Sequence, residues 1–137
     1  MTAQALIEAA KQAAKHAYVP YSNFTVGAAL LTADGTVYSG CNIENAAFSP
    51  TNCAERTAFF KAVSDGVRDF CAIAIVGGTN GDFSDFCPPC GVCRQVMAEF
   101  CAPTFRIYLG RADGAIREYT LEELLPCGFS AAELTKE

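Results

Sequence analysis

The sequence predicts an α/β fold: five short strands in one sheet, with helices on its faces, in the order αββαβαββ. Three observations predict it. Apolar residues recur at helical spacing in residues 2–17, 53–63 and 90–101. Five short apolar or β-branched runs lie among them. Asp34-Gly35 and Asp113-Gly114 join two pairs of those runs as turns.

Taken in order, residues 2–17 place Leu6, Ile7, Ala10, Ala13, Ala14 and Ala17 on one side and Lys11 and Lys15 on the other, which makes an amphipathic helix. His16, the only histidine, lies on it without a ligand-spaced partner and reads as a surface or structural residue. Val19-Pro20-Tyr21-Ser22-Asn23 breaks the helix. Phe24–Thr32 then runs as a strand, turns at Asp34-Gly35 and returns over residues 36–43 as a hairpin. A polar, proline-containing passage leads to the helix at 53–63. Residues 70–76 read as a buried strand that Gly77-Gly78 ends, and Pro88 and Pro89 lead into the helix at 90–101. Strands at 105–109 and 115–119 follow. Thr120-x-x-Glu123 is a capping box, and Pro126 limits the helix after it to a short turn. The acidic tail reads as surface.

The 137 residues bound the chain to one domain, residues 1–137, able to bury roughly two thirds of the surface its unfolded form exposes. No linker, repeat or composition shift divides it. No apolar run approaches the ~18 residues that cross a bilayer, and no secretion signal is evident, so the expected address is cytoplasmic, with no membrane partner. Ten basic against fifteen acidic residues give a net charge of −5, which disfavours a nucleic-acid partner and suits a small neutral substrate. In that compartment the eight cysteines are expected as reduced thiols, some of them metal ligands.

The chemistry concentrates in Asn52-Cys53-Ala54-Glu55-Arg56 and Pro88-Pro89-Cys90-Gly91-Val92-Cys93. Alone, the Cys-x-x-Cys suits a metal, a redox disulfide or a packed helix end. With Cys-x-Glu upstream it matches a described zinc-deaminase signature. Cys53, Cys90 and Cys93 supply three ligands and leave a fourth position for water, whereas a structural zinc usually takes four protein ligands. Glu55 would sit beside the metal as a proton carrier, against the plainer reading of a solvated first-turn carboxylate. Cys87 and Cys90 form a second possible pair, but Pro89-Cys90-Gly91-Val92-Cys93 fits the signature and the other register does not. Cys41, Cys71, Cys101 and Cys127 read as small apolar residues. Three thiolates on a dication leave a net −1, so Arg56 is expected to touch thiolate sulfur and offset that charge.

With these residues in view, the chain resembles the small, three-cysteine zinc type of the cytidine deaminase family. The likeness rests on Phe24-Thr25-Val26-Gly27-Ala28-Ala29-Leu30, Gly40-Cys41-Asn42-Ile43-Glu44-Asn45-Ala46, Cys53-Ala54-Glu55-Arg56, Cys90-Gly91-Val92-Cys93-Arg94-Gln95 and Leu124-Leu125-Pro126 with Phe129. It implies a central mixed five-stranded sheet with helices on both faces, and one Zn²⁺ per subunit. It implies hydrolytic deamination of cytidine and 2′-deoxycytidine by a zinc-activated water, with Glu55 as proton shuttle, in pyrimidine salvage. It further implies that Asn42 and Glu44 hold the ribose hydroxyls, Phe24 packs on the pyrimidine and Ala54 reads the base through its backbone. Phe129 would reach a neighbouring subunit's site in a homotetramer whose sites are shared. Phe48 departs from the tyrosine of many relatives, so any contact through that hydroxyl is missing and the subunit contact at Phe48 is expected to differ. Among rivals, a blasticidin S type of deaminase would keep the cysteines and Glu55 but is not expected to carry Asn42-Ile43-Glu44-Asn45. A non-catalytic zinc protein would bind metal without turnover.

Overall fold

The structure, a computed structural model, describes residues 1–135. Its elements are α1 (Ala3–Ala14), β1 (Phe24–Thr32), β2 (Val37–Cys41), α2 (Ala54–Ser64), β3 (Phe70–Thr79), α3 (Gly91–Phe100), β4 (Arg106–Gly110), β5 (Ile116–Thr120), α4 (Leu121–Leu124) and α5 (Ala131–Thr135). The five strands form one sheet in the order β2-β1-β3-β4-β5. All neighbours are antiparallel except β3 and β4, the pair joined by the α3 crossover. The sheet is therefore five-stranded, as the sequence predicts, and mixed, as the family resemblance implies.

Alternation along β1 directs side chains to two cores. Val26, Ala28 and Leu30 meet Ala58 and Phe59 of α2 and Met97 of α3, together with Ile73, Ile75 and Ile107. Ala29, on the opposite face, joins Ala72, Ala74 and Val76 beneath Leu6, Ile7, Ala10 and Ala14 of α1. Helices thus cover both faces. Gly40 on β2 shows how closely α2 is seated, because a Cβ there would collide with the Ala54 carbonyl and approach the Ala58 nitrogen to 2.7 Å. That close approach presses the first turn of α2 onto the sheet.

Three boundaries differ from the sequence reading. Gly77-Gly78 does not end β3, which continues to Thr79 and pairs Gly77 with Val26 and Gly78 with Thr25. The glycines serve close approach instead: a Cβ on Gly77 would lie 2.7 Å from Cys87 Sγ, and one on Gly78 would strike the Asp82 carbonyl. The second strand stops at Cys41 rather than residue 43 because the Asn42 side chain takes over the pairing. Its Oδ1 accepts from Val26 N–H at 2.9 Å and its Nδ2 donates to the Phe24 carbonyl at 2.8 Å. The first helix ends at Ala14, after which Lys15, His16 and Ala17 donate three residues back, in tighter 3₁₀ fashion, to Gln12, Ala13 and Ala14. The Thr120–Glu123 capping box is formed in full. Part of the expected surface tail is helical, as α5.

Candidate metal centre and active site

Cys53 is the N-cap of α2 and Cys90 the N-cap of α3, both with extended backbone, and neither side chain caps its own helix. That leaves both sulfurs free for another partner while they feel the positive ends of two helix dipoles. Cys93 lies in the first turn of α3 and is buried. The Cys53 and Cys90 sulfurs are 3.7 Å apart, those of Cys90 and Cys93 3.5 Å, and all three lie within 4.8 Å of one another. Sulfurs bound tetrahedrally at ~2.3 Å from zinc sit about 3.8 Å apart, so the cluster has the size and donor chemistry of a zinc site. No other such grouping of His, Cys, Asp or Glu occurs among the described residues. Cys87 lies outside it, turned onto Gly77, with its thiol pushed up to about 12 by burial.

The surroundings favour thiolate at Cys53. A hydrogen bond from Cys93, helped by Arg56, brings Cys53 down to about 5 against the opposing effect of burial. The same bond and burial push Cys93 up, so Cys53 loses its proton first. Arg56 Nη2 donates to Cys53 Sγ at 3.2 Å, while its Nε is buried without a hydrogen-bond partner among the described residues. Replacing Arg56 with glutamine is expected to lower turnover about tenfold or more, because loss of a partner to a metal ligand costs roughly 10- to 100-fold. The melting temperature should move far less than turnover. Unchanged turnover in Arg56→Gln would contradict this role.

Glu55, the second residue of α2, is only 4% exposed. Burial pushes its carboxyl up to about 7, and the negative charge on Cys53 adds to the shift. A group that changes protonation near neutral pH can both accept and return a proton at physiological pH. A dication in the sulfur cluster would favour its carboxylate form.

The residues expected to contact substrate come from β1, the segment after β2, the start of α2 and the C-terminal segment. Ala54 is fully buried at the first position of α2, where a backbone N–H has no acceptor within the helix. Asn42 is buried and commits both ends of its amide to β1, which leaves it one N–H and one lone pair. Glu44 lies beyond it on a stretch held from both sides: Glu44 N donates to Tyr18 O, and Ile43 exchanges two bonds with Asn52. That pairing wires Glu44 to the residue preceding Cys53. Phe24 is 39% exposed at the mouth of β1. A hollow of about 410 Å³ is lined by Tyr21, Ser22, Glu44, Phe48 and Thr51. Phe48 adopts φ 61° and meets Tyr21 edge-on, with ring centres 6.2 Å apart. Phe129 is exposed and lines a different hollow, beside Gln95, whose Nε2 donates to the Phe129 carbonyl at 2.6 Å.

Two contributors escaped the sequence reading. Arg94 donates to the carbonyls of Pro89 and Leu124, both at 2.8 Å, and so ties the approach to Cys90 to the C-terminal segment. Its place directly after Cys-x-x-Cys is the signal for it. Ser22 bonds to Glu44 and to Phe24, and no local pattern announces that.

A sheet that leads two helix starts to one metal-sized cluster, with a carboxylate walled in beside it, is the arrangement of a metal-assisted hydrolase. The family model for the cytidine and deoxycytidylate deaminase zinc-binding region matches residues 1–109. A cytidine deaminase of Sporosarcina psychrophila is 58% identical over 135 residues, which cover 98% of this chain and 96% of that protein. One from Halalkalibacterium halodurans is 55% identical over 134 residues, with 98% of each covered. The crystal structure of cytidine deaminase from Burkholderia pseudomallei is similar with a TM-score of 0.87 and 51% identity, over 94% of this chain and 100% of that one. The chain belongs to the zinc-dependent cytidine deaminase family. No helix among the described residues is long and apolar enough to cross a membrane.

Proposed function

We propose that this chain hydrolyses cytidine and 2′-deoxycytidine to uridine and 2′-deoxyuridine with release of ammonia, as a single domain spanning residues 1–137. The observation that carries the reading is the pairing of a three-sulfur cluster of zinc dimensions with a buried Glu55 two residues from one of the sulfur-bearing residues. Cys53, Cys90 and Cys93 hold one zinc ion per subunit. When bound, zinc supplies the Lewis acidity that makes water a nucleophile at neutral pH. Glu55 takes a proton from the attacking water and delivers it to the ring nitrogen next to the carbon that carries the amino group. The bond from water oxygen to that carbon forms, and the carbon–nitrogen bond then breaks. A second proton passed through the Glu55 carboxylate lets nitrogen depart as ammonia.

The other residues orient the nucleoside. The Ala54 backbone faces the base, Phe24 packs against the pyrimidine, and Asn42 and Glu44 take the sugar hydroxyls with the capacity their own bonds leave open. Arg56 offsets the charge of the thiolates. The chain assembles as a homotetramer, in which exposed Phe129 completes a neighbour's site. The net charge of −5 argues against a nucleic-acid substrate. Pyrimidine salvage in the cytoplasm is the setting this chemistry suits. Purified protein mixed with cytidine, and separately with 2′-deoxycytidine, is expected to show the ultraviolet change of deamination with stoichiometric ammonia. Absence of turnover on both nucleosides, with zinc bound, would overturn the reading.

A further inference from the structure

Glu44 owes its position to the turn before β1. Its Oε1 accepts from the backbone N–H groups of Tyr21 and Ser22, both at 3.1 Å. Its Oε2 accepts from the Ser22 hydroxyl. The same Ser22 oxygen accepts from Phe24 N–H at 3.0 Å, a side-chain turn two residues on. Between them, Asn23 takes the left-handed conformation at φ 56°, which asparagine tolerates, and its carbonyl is held by Asn80 N–H at 2.7 Å. One hydroxyl therefore stands at the junction of Glu44 and Phe24. It also lies on the wall of the hollow that Glu44 lines.

We infer that Ser22 is a positioning residue: its hydroxyl fixes the Glu44 carboxylate relative to the Phe24 backbone and so sets how strongly the site selects nucleosides by their sugar hydroxyls. The inference rests on the reading of Glu44 as the sugar contact. An ionised carboxylate has about four lone-pair directions. Three are used by Tyr21 N–H, Ser22 N–H and the Ser22 hydroxyl. The fourth, on Oε2, is left with a fixed orientation and accepts from a sugar hydroxyl. Without the Ser22 hydroxyl, Oε2 is free to bind water in either direction, and Phe24 N–H loses its acceptor. The hydrogen bonds from the Tyr21 and Ser22 backbone keep the Ser22 variant folded around Glu44.

The test compares cytidine with 2′,3′-dideoxycytidine, which has no sugar hydroxyl at either position, in wild type, Ser22→Ala, Ser22→Thr and Glu44→Gln. Ser22→Ala is expected to raise KM for cytidine about tenfold with kcat within about twofold, and to change kcat/KM for the dideoxynucleoside by less than about twofold. Ser22→Thr, which keeps the hydroxyl, should restore selection. Zinc content and melting temperature should match wild type. If Ser22→Ala lowers kcat/KM for both nucleosides equally, or changes neither, the inference is overturned while a collapse of selection in Glu44→Gln keeps the sugar-side reading intact. If Glu44→Gln itself leaves the ratio of the two nucleosides unchanged, the sugar-side reading fails and takes this inference with it.

Discussion

Replacing Glu55 with alanine is expected to lower turnover by about 10²- to 10⁴-fold or more, the range in which a single positioned acid–base group acts, and here the same carboxylate serves several transfers. Zinc should remain bound at the wild-type stoichiometry, because the carboxylate lies outside the three-sulfur cluster. The fold should also survive. Glu55 is a buried carboxyl whose ionised form is penalised by its surroundings, so its removal relieves that penalty even as it leaves a small cavity. Glu55→Gln separates shape from proton transfer, since it keeps the volume and loses the titrating group, and it should be nearly as inactive. Turnover within about tenfold of wild type in either variant would show that another group carries the protons. Loss of zinc in Glu55→Ala would show instead that Glu55 belongs to the ligand set.

The second large effect is expected from Cys93→Ala, which removes a ligand from the best-buried corner of the cluster. Cys93 joins the main core beside Met97, so the change touches metal and packing together. Activity should fall below detection and zinc should be lost on dialysis. A metal that binds only the folded chain at about 1,000 times its Kd adds ~4 kcal/mol of stability. For a chain of this size that corresponds to roughly 10–20 °C in melting temperature. Wild type treated with chelator should show the same drop, and added zinc should reverse it in wild type but not in Cys93→Ala. Calorimetry of these samples checks this. A Cys93→Ala protein that keeps stoichiometric zinc and full turnover would contradict the assignment.

Much of this centre is legible in the sequence because its parts are local. The Cys-x-Glu and Pro-Cys-x-x-Cys segments each place their residues within a single helical turn. The prolines before Cys90 mark a helix start without reference to the rest of the chain. The Asp-Gly turns and the Thr120–Glu123 box are likewise short-range features. What the sequence leaves open depends on approach between distant segments. Gly77-Gly78 looks like the end of a strand until Cys87 and the Asp82 carbonyl are known to sit where their side chains would be. Asn42 looks like one more strand residue, yet its amide bonds Phe24 and Val26 across the end of the ladder, 18 and 16 positions away. Ser22 reads only as a helix breaker, because its partner Glu44 lies 22 residues on. Phe129 is an exposed aromatic in this chain, and exposure alone does not assign it a role.

The central claim is that the Cys53, Cys90 and Cys93 cluster with Glu55 is a zinc-dependent nucleoside deaminase site. The most direct measurement follows zinc content and the ultraviolet change with cytidine on one preparation: as purified, after chelation, and after zinc is returned in steps, with Glu55→Ala carried alongside. Turnover is expected to vanish with the metal and return in proportion to bound zinc, reaching its full value at one zinc per subunit, while Glu55→Ala stays inert when fully loaded. Undiminished deamination in the metal-free protein, or none after zinc is restored to the wild type, would contradict the account.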